Sequence, residues 1–221
     1  MAGNRSDSVN DLIKTLRVQV AGAAPEAIEL ELENTLREFC TKTNVWIAEL
    51  EQPINLDSTV YSITAYDNDS EVTAVLAVQV DGRPVSGWSG YYQKPDNVGG
   101  AFEVNPDQLI QDTINTISLG VGQFSASSQT LGVTVALRPR RGTVNVPDMI
   151  GYGFFDVILD GAVSRLLQHP NRPYENLTAG RQRHRSYMAG LTRARVTTKS
   201  RFSQMAAPWA YPQAAPGRRY R

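Results

Sequence analysis

The hydrophobic period changes twice along this chain of 221 residues, and those two changes constrain its layout more than any other feature. Apolar residues recur every three or four positions up to about residue 50. From Glu51 they alternate with polar ones, and after about residue 144 the three-to-four spacing returns. A stripe of period 3.6 buries one side of a helix and a stripe of period 2 one face of a strand, and neither pattern serves the other element. The expected order is therefore two helices, a β insertion, two helices and a tail.

The stretch "SDSVNDLIKTLRVQV" puts Val9, Leu12, Ile13 and Leu16 on one helical face, and Ser8 with Asp11 three residues on reads as a capping box. After "AGAAP", Pro25 suits the first turn of a second helix whose positive end favours Glu26 and Glu29. Its stripe runs Ile28, Leu32, Leu36, Phe39, Cys40, Thr43, Trp46 and Ile47. Glu29 and Glu33 lie off that stripe, as residues of a solvated face do.

The segments "YSITAY", "EVTAVLAVQVDGRPV", "TINTISLGV" and "LGVTVALRPR" are rich in β-branched residues and bounded by Asp, Asn, Gly and Pro. In the last, Leu131, Val133, Val135 and Leu137 alternate with Gly132, Thr134, Ala136 and Arg138. Asp81-Gly82 is a two-residue hairpin signal, and Pro84 just after it implies an edge strand. The glycine-rich "SGWSGYYQKPDNVGG" between them reads as an exposed loop with aromatic anchors. These patterns predict five to seven antiparallel strands in a small sandwich or barrel.

In "VNVPDMIGYGFFDVILDGAVSRLLQHP" the helical period returns, with Pro147 and Asp148 in the first turn, Phe155, Ile158, Leu159, Ala162, Leu166 and Leu167 facing inward, and Pro170 as terminator. After the turn "NRPYENL", Asn176 caps a last helix to about Lys199, with Leu177, His184, Tyr187, Met188 and Leu191 on one face and Arg181, Arg183, Arg185, Arg193 and Arg195 around the rest. The predicted fold class is α+β. Helices of 1–50 pack on helices of 145–202 as a four-helix bundle, 51–144 is the antiparallel β insertion, and 203–221 is an extended arm.

The net charge of zero hides a polarity, because residues 1–164 hold ten Lys and Arg against twenty-one Asp and Glu, while residues 165–221 hold twelve against one. Such polarity suits a nucleic-acid-binding arm, and it equally suits copies stacked head to tail. Arg181, Arg185 and Arg195 point roughly together on a helical wheel whereas Arg183 and Arg193 do not, so no single DNA-reading stripe emerges.

Enzyme chemistry finds little support. Cys40, the one cysteine, sits at helical spacing among apolar residues, which excludes an internal disulfide and fits a buried thiol. His169 and His184 have no carboxylate or cysteine at metal-ligand spacing. "GWSGY" lacks the last glycine of a nucleophile elbow, "GVGQFS" and "GYGFFD" fail as dinucleotide fingerprints, and "DNDSEV" lacks the glycine of a calcium loop. No metal, cofactor or catalytic residue is expected. A run of eighteen apolar residues is missing and the N-terminus has no apolar stretch suited to a secretion signal, so the expectation is a protein made in a cytoplasm without a membrane partner.

Three stretches taken in order carry a family resemblance: "LELENTLREFCTKTNVWIAELE", "VALRPRRGTVNVPDMI" and "ILDGAVSRLLQHPNRPYENLTAGRQRHRSYMAGLTRAR". Together, about eighty residues, they resemble the adaptor or head-to-tail connector proteins of short-tailed bacteriophages, the tail tubular protein A family. Tyr174 stands where a tryptophan is expected, and the loop at 86–100 has no counterpart. The resemblance implies a structural virion protein of the neck, made in the host cytoplasm and assembled as a ring of twelve. Such a ring would join the portal protein to a tail tube or nozzle protein and pass DNA through its channel without reading its sequence.

On that resemblance Glu26, Glu29 and Glu33 are candidate channel residues, whose charge would repel the phosphate backbone and let it slide. Portal docking falls to the basic end: Arg195, Lys199, Arg201 and Phe202, then Trp209 and Tyr211 as anchors, with Arg218, Arg219, Tyr220 and Arg221. The final "SQMAAPWAYPQAAPGRRYR", if extended as polyproline II, would reach roughly 60 Å. Two other readings are a nucleic-acid-binding protein using 181–221 and an enzyme or carbohydrate-binding module using the aromatic loop at 88–92, the last with only the loop's composition in its favour.

Overall fold

The structure is a computed structural model that describes residues 6–54, 60–63, 68–80, 83–84, 109–113, 116–119 and 130–206. Five helices and seven strands lie within them: α1 (Asp7–Gln19), α2 (Pro25–Thr43), β1 (Ile47–Pro53), β2 (Val60–Ser62), β3 (Ser70–Val80), β4 (Arg83–Pro84), β5 (Leu109–Thr113), β6 (Thr116–Leu119), β7 (Thr130–Pro139), α3 (Asp148–Gly153), α4 (Phe155–Leu167) and α5 (Leu177–Ala206). The fold class is α+β, as the two changes of period predict.

The start of α1 differs from expectation. Ser8 is buried within the first turn, Ser6 holds the cap position, and neither reaches its own helix's free amides with a capping side chain. Instead the amide of Ser8 donates to Asp148 Oδ1 at 2.8 Å and that of Ser6 to Asn145 Oδ1 at 3.1 Å. The orphan donors of α1 are thus satisfied by residues from the far side of the β insertion. That pins the N-terminus against α3, where Gly151 leaves Ser8 no room for a larger neighbour.

Helix α2 stops earlier than its apolar stripe suggests. Asn44 takes a left-handed conformation, φ 52°, and its amide bonds to the carbonyl of Cys40, a C-cap that asparagine tolerates. Trp46 and Ile47 therefore leave the helix face to which their spacing assigns them. Ile47 opens β1 four residues before Glu51, paired with Ala136 on β7.

Strand β7 is central, hydrogen-bonded to β1 on one side and β3 on the other in a four-stranded sheet of order β1-β7-β3-β4. Register runs Ile47↔Ala136 to Pro53↔Thr130 and Ser70↔Pro139 to Val80↔Leu131, with irregularities between Val72 and Ala74 and between Val75 and Ala77. Strands β3 and β4 pair Val80 with Arg83, and Pro84 stands at the sheet edge, where its missing N–H costs no ladder bond; the Asp81-Gly82 turn itself lies outside the described residues. A second sheet has the order β2-β6-β5, and "TINTISLGV" holds the last residue of β5 and the whole of β6, which pair with each other, not one strand. All these pairs are antiparallel.

Two buried clusters organise the interior. One face of the larger sheet, with Leu131, Val133, Val135 and Leu137 alternating inward, shares a cluster with Leu50, Val72, Val75, Val78, Tyr61 and Ile63. The helices build the other from Val9, Leu12 and Leu16 of α1, Ile28, Leu32, Leu36 and Phe39 of α2, Ile158, Ala162 and Leu166 of α4, and Tyr187, Leu191 and Ala194 of α5. Trp46 packs against both.

Close approach of the helices depends on two glycines. A Cβ on Gly161 of α4 would sit 2.6 Å from Thr35 Cγ2 and 2.8 Å from the Tyr187 ring, and one on Gly190 of α5 would sit 2.6 Å from Val157. Expected as one helix, 147–167 is two, because the chain turns at Phe154, φ −129°, whose ring lies 5.1 Å from that of Phe39. Between helices and sheet, Glu71 Oε1 of β3 accepts from Arg37 Nη2 of α2 at 2.7 Å and from Arg138 Nε of β7 at 2.5 Å.

Candidate docking interface

The cap expected at Asn176 is present, its Oδ1 accepting the amide of Ala179 at 3.0 Å. From there α5 continues to Ala206, seven residues beyond the expected end. Its buried side is Gly180, Tyr187, Leu191 and Ala194. Leu177, His184 and Met188, expected on that face, are exposed instead, because the face in contact is fixed by where α4 lies, and α4 lies against Gly190 and Tyr187.

At about 100° per residue, Arg181, Arg185, Met188 and Arg195 fall within one flank of α5, and all four are exposed. None of these arginines has a carboxylate partner among the described residues. Arg183, on another flank, pairs with Asp160 Oδ1 at 2.5 Å. The backbone of α5 carries Lys199, Arg201 and Phe202, but their side chains lie outside the described residues, as do Trp209, Tyr211, Arg218, Arg219, Tyr220, Arg221 and the loop at 86–100.

The candidate channel glutamates do share one side of α2. Glu26 is exposed in the first turn, Glu29 is half-buried, and Glu33 Oε1 accepts the amide of Gly142 at 3.0 Å. Gly142, at φ 83°, sits in the turn after β7, a conformation that favours glycine. Glu33 is therefore partly occupied in holding that turn to α2. The exposed Leu30 stands between Glu26 and Glu33.

Reading the sequence missed a polar seam between α2 and α4. His169 Nε2 lies 3.0 Å from Glu31 Oε1, Arg165 Nη2 donates to Glu38 Oε2 at 2.6 Å, and Arg165 Nη1 lies 3.8 Å from Glu31 Oε2. Burial pushes the Glu38 carboxyl up, but hydrogen bonds from Lys42 and Arg165 outweigh it and hold the group below its ordinary range. Glu31 and Glu38, seven apart, share one face of α2, whereas Arg165 stands in the last turn of α4 and His169 lies two residues past its end. Nothing in the sequence pairs these residues.

The corner of α1 and α3 was also missed. Tyr152 Oη donates to Asp11 Oδ2 at 3.1 Å, Lys14 Nζ to Asp11 Oδ1 at 2.9 Å, and Asp7, Asn10, Ile13 and Arg17 complete a cleft of about 550 Å³. Burial and the carboxylates of Asp11, Asp148 and Asp7 push the Tyr152 phenol up. Beside it Met149 is 80% exposed and Tyr152 50% exposed.

Burial pushes the Cys40 thiol up to about 12, which keeps it protonated and a poor nucleophile at neutral pH. Among the described residues no group of three His, Cys, Asp or Glu side chains could hold a metal ion, and no helix is long and apolar enough to cross a membrane. Comparison with protein-family models and with curated proteins finds no match to this chain.

Proposed function

We propose that the chain is a non-enzymatic structural subunit of a short-tailed phage virion, a ring adaptor of about twelve copies between portal and tail. The segregation of charge carries this reading most directly. One long helix presents Arg181, Arg185, Arg193 and Arg195 to solvent on a chain whose first 164 residues hold a twofold excess of acidic groups. An interface that must dock on one partner and leave a DNA channel unobstructed benefits from that separation. The packing of α2 on α4 and α5, with α1 against α2 and α4, supports reading the four as a bundle with α3 as a lead-in turn.

In this reading the end of α5 from Arg195 onward, with residues 207–221, grips the portal, and the side of α2 with Glu26, Glu29 and Glu33 turns to the channel. Electron microscopy of the chain mixed with the portal protein of the same phage tests it. Full-length chain should form a ring on the portal and a chain ending at Phe202 should not. A complete ring from the truncated chain would overturn the assignment of the tail. The carboxylate-free flank of α5 favours one second reading, a nucleic-acid-binding protein; it requires the purified chain to bind duplex DNA with affinity that falls steeply with salt. The adaptor reading requires no such binding.

A further inference from the structure

Strand β1 stands at one end of the larger sheet, and among the described residues no strand pairs with its outer side. The carbonyl of Trp46 accepts the amide of Leu137, so Trp46, Ala48, Leu50 and Gln52 turn their amides and carbonyls to β7, while Ile47 and Glu49 turn theirs outward. Both of these side chains are exposed, Ile47 by 38%. On the same face of the sheet, the neighbouring β7 carries the small Gly132 and Thr134.

The last helix ends on this side of the molecule. Gly180 of α5 faces Ser164 and Gly190 faces Val157, so α5 runs antiparallel to α4, and so does α2, whose Thr35 meets Gly161 and whose Phe39 meets Phe154. Helices α2 and α5 are therefore parallel, with Thr35 and Tyr187 level at Gly161. Helix α2 stops at Thr43 and passes to β1, whereas α5 goes on to Ala206, about 16 Å further at about 1.5 Å per residue. Ala206, from which residues 207–221 continue outside the described residues, thus lies on the sheet side of the helical layer.

The continuation carries a parity in its sequence. In an extended strand the amide and carbonyl of one residue point to the same edge, and those of the next residue to the opposite edge. Pro208, Pro212 and Pro216 are all even-numbered, so their missing N–H groups fall on one edge, and the other, through Trp209, Tyr211, Gln213, Ala215 and Gly217, keeps every donor. That is the pattern of a strand able to pair on one side only. In a polyproline II helix, with three residues per turn, the same prolines scatter around the axis.

We propose that residues 208–217 add to the larger sheet of their own chain as an antiparallel strand on the outer side of β1. Antiparallel pairing sets the outward residues of β1 opposite the odd-numbered residues of the tail, so Trp209 and Tyr211 stand on the face of Ile47, beside the small Gly132 and Thr134. Charge agrees, since Glu49 is exposed on β1 and the tail ends in Arg218, Arg219 and Arg221 with no acidic residue. A tail so placed hides the aromatic anchors assigned above to the portal, and portal docking then exchanges one partner of the tail for another. That consequence rests on the adaptor reading; the added strand does not.

Amide-resolved hydrogen exchange on the full-length chain, without portal, tests the proposal with two proline variants. Q213P removes a donor from the bonding edge, whereas A214P adds a proline to the edge that already lacks three donors. In the parent and in A214P the amides of Ile47 and Glu49 should exchange at least about tenfold more slowly than in Q213P. Thermal melts that match the parent exclude misfolding of either variant. Fast exchange at both amides in the parent, or equal exchange in Q213P and A214P, would overturn the added strand. Protection that grows with protein concentration would overturn the contact within one chain. Portal binding is measured separately, and a tail that grips the portal without protecting β1 sinks this proposal and leaves the adaptor reading standing.

Discussion

The helical layer and the larger sheet share α2 as a wall, yet they are held together in different ways. In the helices, side chains from the two ends of the sequence interlock, and approach is set by Gly161 under Thr35 and Tyr187 and by Gly190 over Val157. In the sheet a single strand, β7, hydrogen-bonds to both neighbours, and its inner face supplies four of the buried apolar residues. Steric fit governs the first region and backbone pairing the second. Such regions respond differently to perturbation, since packed glycine crossings tolerate no added atoms whereas a strand tolerates exchanges that preserve its alternation.

Truncation of buried residues should expose this difference most strongly. Phe39→Ala, from the fully buried ring between α2 and Phe154, should cost about 3–5 kcal/mol, and Leu131→Ala in β7 about 2–5 kcal/mol. Hydrogen-exchange mass spectrometry separates them. Phe39→Ala should raise exchange in helices and sheet together, because α2 contacts both, whereas Leu131→Ala should raise it mainly in the strands. Equal loss of protection everywhere for both variants would make the two regions one cooperative unit.

Adding one carbon at the tightest crossing comes next. Gly161→Ala should cost about 1–3 kcal/mol in chemical denaturation despite the better helix propensity of alanine. The new Cβ would meet the stiff Thr35 and a ring with no free space, so neither neighbour yields cheaply.

The ion pairs that join the regions have a smaller effect. Burial raises the Glu71 carboxyl, and hydrogen bonds from Arg138 and Arg37 more than reverse it, so its folded value lies below the ordinary 4.5. A carboxyl depressed on folding stabilises fully above its unfolded value, and the contribution is lost as pH falls through the folded one. Glu71→Gln should therefore cost about 1 kcal/mol at neutral pH and flatten the acid limb of the stability profile below about pH 4.5. An unchanged acid limb would show that the link between helices and sheet is apolar, through Trp46.

Smallest of all is Tyr187→Phe. The Tyr187 hydroxyl is buried without a hydrogen-bond partner among the described residues, and burial, with Glu38 nearby, pushes its pKa up. Removing an unsatisfied oxygen should change stability by less than about 1 kcal/mol in either direction. A larger loss would reveal a bond from that hydroxyl to Glu38.

Period and punctuation made much of this arrangement legible. The stripes of α1 and α2, the alternation of β7, the pairing of β3 with β4 and the Asn176 cap are encoded within a few residues of where they act. What the sequence left open depends on contacts more than a hundred residues apart. Asp148 capping Ser8, His169 meeting Glu31 and Glu33 holding Gly142 follow from where separate segments meet. The same reason explains the errors at Trp46, His184 and Met188. A wheel orders residues around a helix, but where the helix ends and which arc is covered depend on a left-handed residue and on the neighbour that arrives.

The sequence by itself determined the α+β class, the order of elements and the polarity between an acidic body and a basic end, because local periodicity and composition are properties of contiguous residues. Only the tertiary structure decided which flank of α5 stays open and which corner carries Asp7, Asp148, Met149 and Tyr152. Exposure is what remains after every other surface has found a partner, and no local stretch of chain contains that information.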